Sequence, residues 1–480
     1  MSPSDSTHSA TAPEQDEPLR RSLRLVFVAW FFGAVWASII SGAALTRYAK
    51  LVHLPLFGFG LLSALSFGSA LVQLVSSYFL ERTGRHKALF IIAGVTHRLL
   101  WIVIALVPWV FPPPWWWPAF LVCKLVTDIA TNVGGPAWYT WMADLVPRRL
   151  RGRFFGRRNQ AGLVVQLATT LVLGLVLDWA MAQGDEFLLK VISLALTVAA
   201  VSGAIDFLFF IPVPGPRAVV SQPDVSIVHI VAQPFKNPNF RRLLGFSGTL
   251  TFAAGFLGPF VWLYLFDVAG MSNTMATVVL VVVPTVVAMF AQVFWGHMID
   301  RYGRKPILVI ATCLIIHGAV VWLLVTNDHW VVGLVIVQLA TFAWTGIDLA
   351  SFNMLLGMSE AGEGRRYGTA YSAVSSVITA LAGILSGLFG GAIAETFKDW
   401  HGMWFGIPVT YHAIIFAVSS GLRVFALFWL PGMKDEGAFH TRDSLRYIAA
   451  DMYSSLLQIA VLPVRLVRHM GRVTYRVFKT

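Results

Sequence analysis

Twelve apolar runs, each about twenty residues or longer, divide most of this chain and leave few folds open to it. They fall at about 23–46, 55–80, 88–110, 117–145, 160–182 and 187–212, and again at about 242–266, 275–299, 306–326, 330–358, 367–393 and 408–431. An α-helix needs such a run to cross the ~30 Å hydrocarbon core of a bilayer. Helices are required, because a backbone facing lipid must satisfy its own hydrogen bonds. Composition agrees: 57% of the residues are hydrophobic and 12% charged, where a soluble domain carries about 25% charged. The expected fold class is an all-α membrane protein with twelve transmembrane helices in two homologous six-helix bundles, and neighbouring helices antiparallel.

The net charge of +12 does not point to nucleic acid, because the basic residues sit between apolar runs. Arg82, Arg85 and Lys87 follow span 2, six arginines between Arg148 and Arg158 follow span 4, Arg301, Arg304 and Lys305 follow span 8, and Arg365 and Arg366 follow span 10. The alternate connections carry few, such as Lys50, Lys190 and Lys398. The positive-inside rule then puts both termini in the cytoplasm, with a plasma membrane (a bacterial inner membrane) as the expected location. The connection Phe111–Trp117, FPPPWWW, supplies an aromatic belt at the opposite interface. Residues 1–22 read as a disordered cytoplasmic tail without a signal peptide. Only Cys123 and Cys313 occur, far apart and within apolar runs, so no disulfide framework or metal cluster is expected. After Pro463, basic residues from Arg465 to Lys479 track one helical face and Leu462, Leu466, Met470, Val473 and Val477 the other. That pattern suits an amphipathic helix on anionic headgroups, within a cytoplasmic tail over 432–480.

The chain repeats itself. Glu81-Arg82-Thr83-Gly84-Arg85 after span 2 is echoed by Asp300-Arg301-Tyr302-Gly303-Arg304 after span 8, with 219 residues between the glycines. Arg153-Phe154-Phe155-Gly156 after span 4 is echoed by Arg366-Tyr367-Gly368 after span 10. The longest internal hydrophilic stretch lies between spans 6 and 7. The expected division is therefore a six-helix bundle over 23–212, a cytoplasmic linker over 213–241 and a second six-helix bundle over 242–431.

The segment Gly296-His-Met-Ile-Asp300-Arg301-Tyr-Gly303-Arg304-Lys305 resembles the G-x-x-x-D-R-x-G-R-K signature of the major facilitator superfamily, and Ser77 to Lys87 resembles a degenerate copy of it. The resemblance covers about 23–431 and implies two bundles that rock about a central cavity. It implies a cytoplasmic gate built from Glu81, Arg82, Gly84, Arg85, Gly296, Asp300, Arg301, Gly303 and Arg304. Asp300 would meet the start of span 5 near Asn159, and Glu81 the start of span 11 near Tyr367. It implies that spans 2 and 11 pack across the bundles, where Gly60, Ala64 and Gly68 face Gly383, Gly387 and Gly391 at four-residue spacing. The chain departs from family patterns in two places. Span 4 lacks the Arg-x-x-Gln-Gly of many proton-coupled members, and span 5 lacks the Gly-Pro of drug antiporters.

Charged residues inside a membrane are costly and mark function. Arg98 falls mid-span 3, Lys124 and Asp128 lie one helical turn apart in span 4, and Asp348 lies in the inner half of span 10. Spans 1, 4, 7 and 10 line the cavity in the family, which directs Asp128 and Asp348 towards it, with Asn132, Trp36, Trp344 and Thr345 as further solute contacts. Arg98, Lys124 and Asp128 are expected to form one coupling cluster in which Asp128 exchanges a cation partner for a proton, with Asp348 as an alternative proton site; a purely structural Arg98–Asp128 pair is the competing reading. Asp206 and Arg423 read as local or snorkelling charges, and His97 and His317 as helix-packing groups. The sequence has no Walker loop and no metal-ligand spacing, so neither ATP drive, enzyme chemistry nor a cofactor is expected. The function these features imply is secondary active transport of a small organic solute, as proton-coupled symport by a monomer. A receptor or scaffold on the same fold, and an efflux antiporter, are the alternatives.

Overall fold

The computed structural model describes residues 16–147, 150–216, 232–326, 329–360, 364–404 and 407–435. The amphipathic stretch expected after Pro463 lies outside them.

Twelve helical spans follow the apolar runs closely. In the first half they are Asp16–Ile39, Leu56–Leu80, His86–Val110, Trp116–Leu145, Arg151–Met181 and Asp185–Leu208. In the second half they are Pro238–Asp267, Asn273–Tyr302, Arg304–Leu324, Trp330–Glu360, Gly364–Thr396 and Tyr411–Trp429. Eleven are both long and apolar enough to cross a membrane. The other, span 4, is long enough at 30 residues but carries Lys124, Asp128 and Asn132.

Local chemistry sets the boundaries. Residues 16–22 belong to the helix of span 1 and are not a disordered tail. Span 7 begins at Pro238, inside the expected linker, because the Asn237 side chain accepts hydrogen bonds from the Asn239 and Phe240 amides. Both motif glycines adopt positive φ, 62° at Gly84 and 92° at Gly303, which lets the chain turn sharply between consecutive spans. Span 9 is interrupted: its α-helix ends at Ile315 and a 3-10 segment resumes at Val320. Two short antiparallel strands, Gly402–Trp404 and Ile407–Val409, lead into span 12.

Packing repeats with the sequence. Span 1 lies against spans 5 and 6, and span 3 against span 4; in the second half span 7 lies against spans 11 and 12, and span 9 against span 10. The halves join mainly through spans 2 and 11 and through spans 5 and 8. At the first seam the backbones touch. A Cβ on Gly391 would lie 2.8 Å from the Phe57 carbonyl oxygen, and one on Gly387 2.8 Å from the Ala64 amide nitrogen. No rotamer relieves a clash with backbone. Gly387→Leu should therefore cost about 1–3 kcal/mol or more. It should lower the thermal unfolding midpoint of the detergent-purified chain by several degrees. Gly421→Leu, whose Cβ would meet nothing within 4 Å, should leave the midpoint in place.

Candidate functional site

Among the described residues, the hydrogen bonds between the bundles gather on one face. This far face lies opposite the motif loops. Here the Asp178 carboxylate, at the end of span 5, accepts hydrogen bonds from the Asn273 amide at 2.6 Å, the Thr274 amide at 3.0 Å and the Asn273 side chain at 2.9 Å. These are the free amides of the first turn of span 8. Glu395, at the end of span 11, accepts a bond of 3.2 Å from the Phe57 amide in the first turn of span 2. The two arrangements match in register: 217 residues separate Asp178 from Glu395, and 217 separate Phe57 from Thr274. Arg47 donates to the Asn273 side chain at 2.8 Å and stacks on Phe266, while Lys50 pairs with Asp267.

On the motif face the picture differs. Asp300 and Asn159 are both exposed, and the expected contact between them is not made. The first amides of span 9, Arg304 and Lys305, instead bond to Asp435 of the same half at 2.6 and 3.0 Å. The side chains of Glu81 and Tyr367 lie outside the described residues. The inter-bundle hydrogen bonds among described residues all lie on the far face, and a cavity lies between the bundles beneath them.

The apex of that cavity sits under the far-face contacts, between spans 1, 5, 7 and 8. It has about 200 Å³, and Ser38, Ser41, Gln166, Thr170, Trp262 and Thr277 are among its lining residues. None of these was singled out by sequence. Hydroxyl and amide residues of this kind are common anywhere in a membrane helix, and only the meeting of four spans gives them a shared space.

Beside the apex, spans 2 and 4 share a polar seam. Lys124 Nζ lies 2.6 Å from both oxygens of Asp128, one helical turn away. Ser66 of span 2 donates to Asp128 at 2.9 Å. Further along, Asn132 donates to Ser69 at 2.9 Å and accepts from Gln73 at 2.7 Å, and Ser76 donates to the Val133 carbonyl. Lys124 is buried, Asp128 and Asn132 are half-buried and Gln73 is exposed. The seam thus runs as a continuous row of polar groups from accessible Gln73 to the buried ion pair.

Arg98 does not join this row, contrary to expectation. Its guanidinium pairs with Asp206 of span 6 at 3.3 Å, with both side chains more than nine-tenths buried. Asp206 is therefore no snorkelling charge; it is the partner of Arg98 within the first bundle. Spacing could not reveal this, since 108 residues separate the two. Trp36 is taken up by the same group: Arg98 Cζ lies 3.2 Å from its ring centroid, and the Trp36 edge packs against His97. His97 makes the expected packing bond, 2.9 Å from the Thr131 hydroxyl. Arg158 of span 5 lies over Trp30 at 4.3 Å on the same side of the bundle.

In the second half, Asp348 is exposed and forms no ion pair with a described residue. It stands twelve residues from Glu360 in span 10, about 18 Å along the helix at 1.5 Å per residue. Thr345 donates to the Thr341 carbonyl, and Trp344 lines a second lobe with Trp262 and Arg423. Arg423, expected to snorkel or to pair locally, is only 2% exposed. The structure thus unites Lys124, Asp128 and Asn132, sets Asp348, Thr345 and Trp344 together on span 10, and separates Arg98 and Trp36 from both groups.

Comparison with known proteins follows this geometry. Residues 25–387 match the family profile described as Major Facilitator Superfamily. No curated protein sequence matches the chain. Several solved transporters share the fold. A point mutant of the nucleoside transporter NupG superposes with a TM-score of 0.67 at 15% identity, covering 86% of this chain and 99% of its own. A D-xylose-proton symporter gives 0.62 at 15% identity, covering 87% and 98%. A bacterial homologue of the human lysosomal transporter Spinster, inward-facing and unoccupied, gives 0.58 at 13% identity, covering 86% and 95%.

Proposed function

The chain belongs to the major facilitator superfamily, and on that premise we propose that it moves a small organic solute by alternating access, as a proton-coupled symporter. One observation carries the coupling: the buried Lys124–Asp128 pair at the end of a polar row that reaches accessible Gln73. A carboxylate held by a cation and a hydroxyl can exchange that cation for a proton and so report proton occupancy to its helix contacts. Ser66, which donates to Asp128, is followed by Phe67 and Gly68, whose surroundings include Gly383 and Ile384 of span 11. A proton on Asp128 therefore acts one residue from the seam between bundles. Asp348, exposed in span 10, is the second candidate for a proton site.

The unit is read as a monomer in a plasma membrane, with both termini and the motif loops cytoplasmic. That orientation rests on the basic loops after spans 2, 4, 8 and 10. The bundles then lie within 16–212 and 238–431, joined by the linker between them, and the basic tail beyond Pro463 rests on anionic headgroups. With the motif face cytoplasmic, the cavity is read as inward-open, and Asp300 is released from the helix terminus it would hold once that face closes. Small-molecule solute and protons are the partners. A nucleoside transporter and a sugar-proton symporter with the same fold favour this class over an enzyme or a scaffold.

Proteoliposomes loaded with the pH dye pyranine test the reading. Monosaccharides, nucleosides and small carboxylates added outside should include at least one that acidifies the lumen in step with its own uptake, absent from protein-free vesicles. Proton movement opposite to the solute would replace symport with antiport. Ligands that bind without flux would favour the receptor.

A further inference from the structure

Two membrane-buried cations of the first half have a carboxylate: Lys124 has Asp128 and Arg98 has Asp206. Arg423 of span 12 has none among the described residues. It is 2% exposed; one terminal nitrogen donates to the Ile315 carbonyl at 2.8 Å, and its Nε–H is buried without a partner. The Ile315 carbonyl ends the first helical segment of span 9, and such an end carries at most about half a negative charge. A full buried positive charge is thus only partly offset, and burial of an uncompensated ion is unfavourable.

The guanidinium is also not sealed in. Arg423 lines a lobe of about 270 Å³ between spans 7, 8, 9, 10 and 12. Trp262 borders both this lobe and the cavity apex. The walls are Trp262, Trp322, Trp344 and aliphatic side chains, with Thr341 as the one hydroxyl. Arg423 Cζ lies 6.0 Å from the Trp344 ring centroid, at the edge of cation–π range. Apolar walls with few hydrogen-bonding groups disfavour a polyol, whose hydroxyls would lose water without replacement. They suit a flat or aliphatic body, and a planar guanidinium suits a carboxylate.

We propose that this lobe binds an organic anion, with its carboxylate on Arg423 and its apolar or aromatic body among Trp262, Trp322 and Trp344. The inference names the solute class for the transporter reading and rests on it, but the binding it claims needs no flux.

Isothermal titration of the purified full-length chain tests it with benzoate, phenylacetate and indole-3-acetate, each against its uncharged amide. At least one carboxylate should bind, and its amide should bind about 10- to 100-fold more weakly, the worth of a charge-assisted hydrogen bond. Arg423→Gln should erase that preference, and Arg423→Lys should keep part of it. If Arg423→Gln does not fold, Trp344→Ala serves, since this half-buried ring lines the lobe; it should weaken the carboxylate at least severalfold. No binding by any of the three carboxylates, equal affinity for acid and amide, or unchanged affinity in Arg423→Gln or Trp344→Ala would overturn the proposal. Carboxylate binding without pyranine-detected flux would leave the site standing and remove the transport reading. Flux of other solutes with no carboxylate binding would do the reverse.

Discussion

Asp128→Asn should abolish accumulation driven by a pH gradient while leaving solute exchange across the membrane intact. A one-unit gradient sustains about tenfold accumulation when one proton accompanies each solute. The variant should fall to no accumulation, because an amide cannot cycle a proton. The solute cavity is otherwise unaltered, so exchange of labelled for unlabelled solute should persist. The substitution also strands Lys124, whose side chain is only 9% exposed. Breaking a buried pair costs about 3–5 kcal/mol, so a loss of function by misfolding has to be separated from a loss of coupling. Lys124→Met combined with Asp128→Asn removes both charges and should recover stability without recovering accumulation. Uptake in the double variant that still follows the pH gradient would assign coupling elsewhere, with Asp348 next in line, and would leave Lys124–Asp128 as a structural pair.

The second large effect concerns the far-face latches. Asp178→Ala and Glu395→Gln together remove a carboxylate from the first turn of span 8 and another from the first turn of span 2. Each such contact contributes about 0.5–2 kcal/mol. If both exist only while the far face is closed, their loss shifts the conformational balance by roughly 1–4 kcal/mol, about 5-fold to several hundred-fold. The direction is towards opening outward. A cysteine at Ser41, which lines the apex just below the latches, reads this out once Cys123 and Cys313 are replaced. Its labelling by an impermeant maleimide from outside should speed up in the double variant and change less in either single one. A rate equal to wild type would mean that the glycine seam of spans 2 and 11 closes this face unaided.

These two sites differ in how visible they were beforehand. Lys124 and Asp128 share one turn of one helix, so their spacing alone announces the pair. The motif glycines were equally legible, since a sharp turn between consecutive spans calls for positive φ and Gly84 and Gly303 supply it. Arg98 shows the opposite case. Its carboxylate lies three spans later in the sequence, in span 6, and no local pattern distinguishes Asp206 from Asp128 as a partner. Asp178 and Glu395 fall between these extremes. Nothing marks either acid alone, but both close corresponding spans at an offset of 217 residues, near the 219 of the motif glycines. Reading the repeat for acids at helix ends, as well as for the loop motif, would have found them. The Arg423 lobe was hidden, because it depends on the interruption of span 9 after Ile315 and on tryptophans from three different spans.

The composition of span 4 has a consequence for how the protein is made. Its Lys124, Asp128 and Asn132 leave it short of the hydropathy that the other eleven spans possess. A lone lysine or aspartate at the centre of an inserting helix costs about 2.5–3.5 kcal/mol at the translocon. Two opposite charges one turn apart can neutralise each other as soon as that turn forms, before any other part of the protein is present. Span 3, which precedes it and packs along it, offers an apolar partner already in the bilayer. Span 4 is then best suited to leave the translocon as a hairpin with span 3, carrying its ion pair ready-made. The pairing that serves coupling in the mature protein would, at the nascent stage, serve as the helix's entry ticket into lipid.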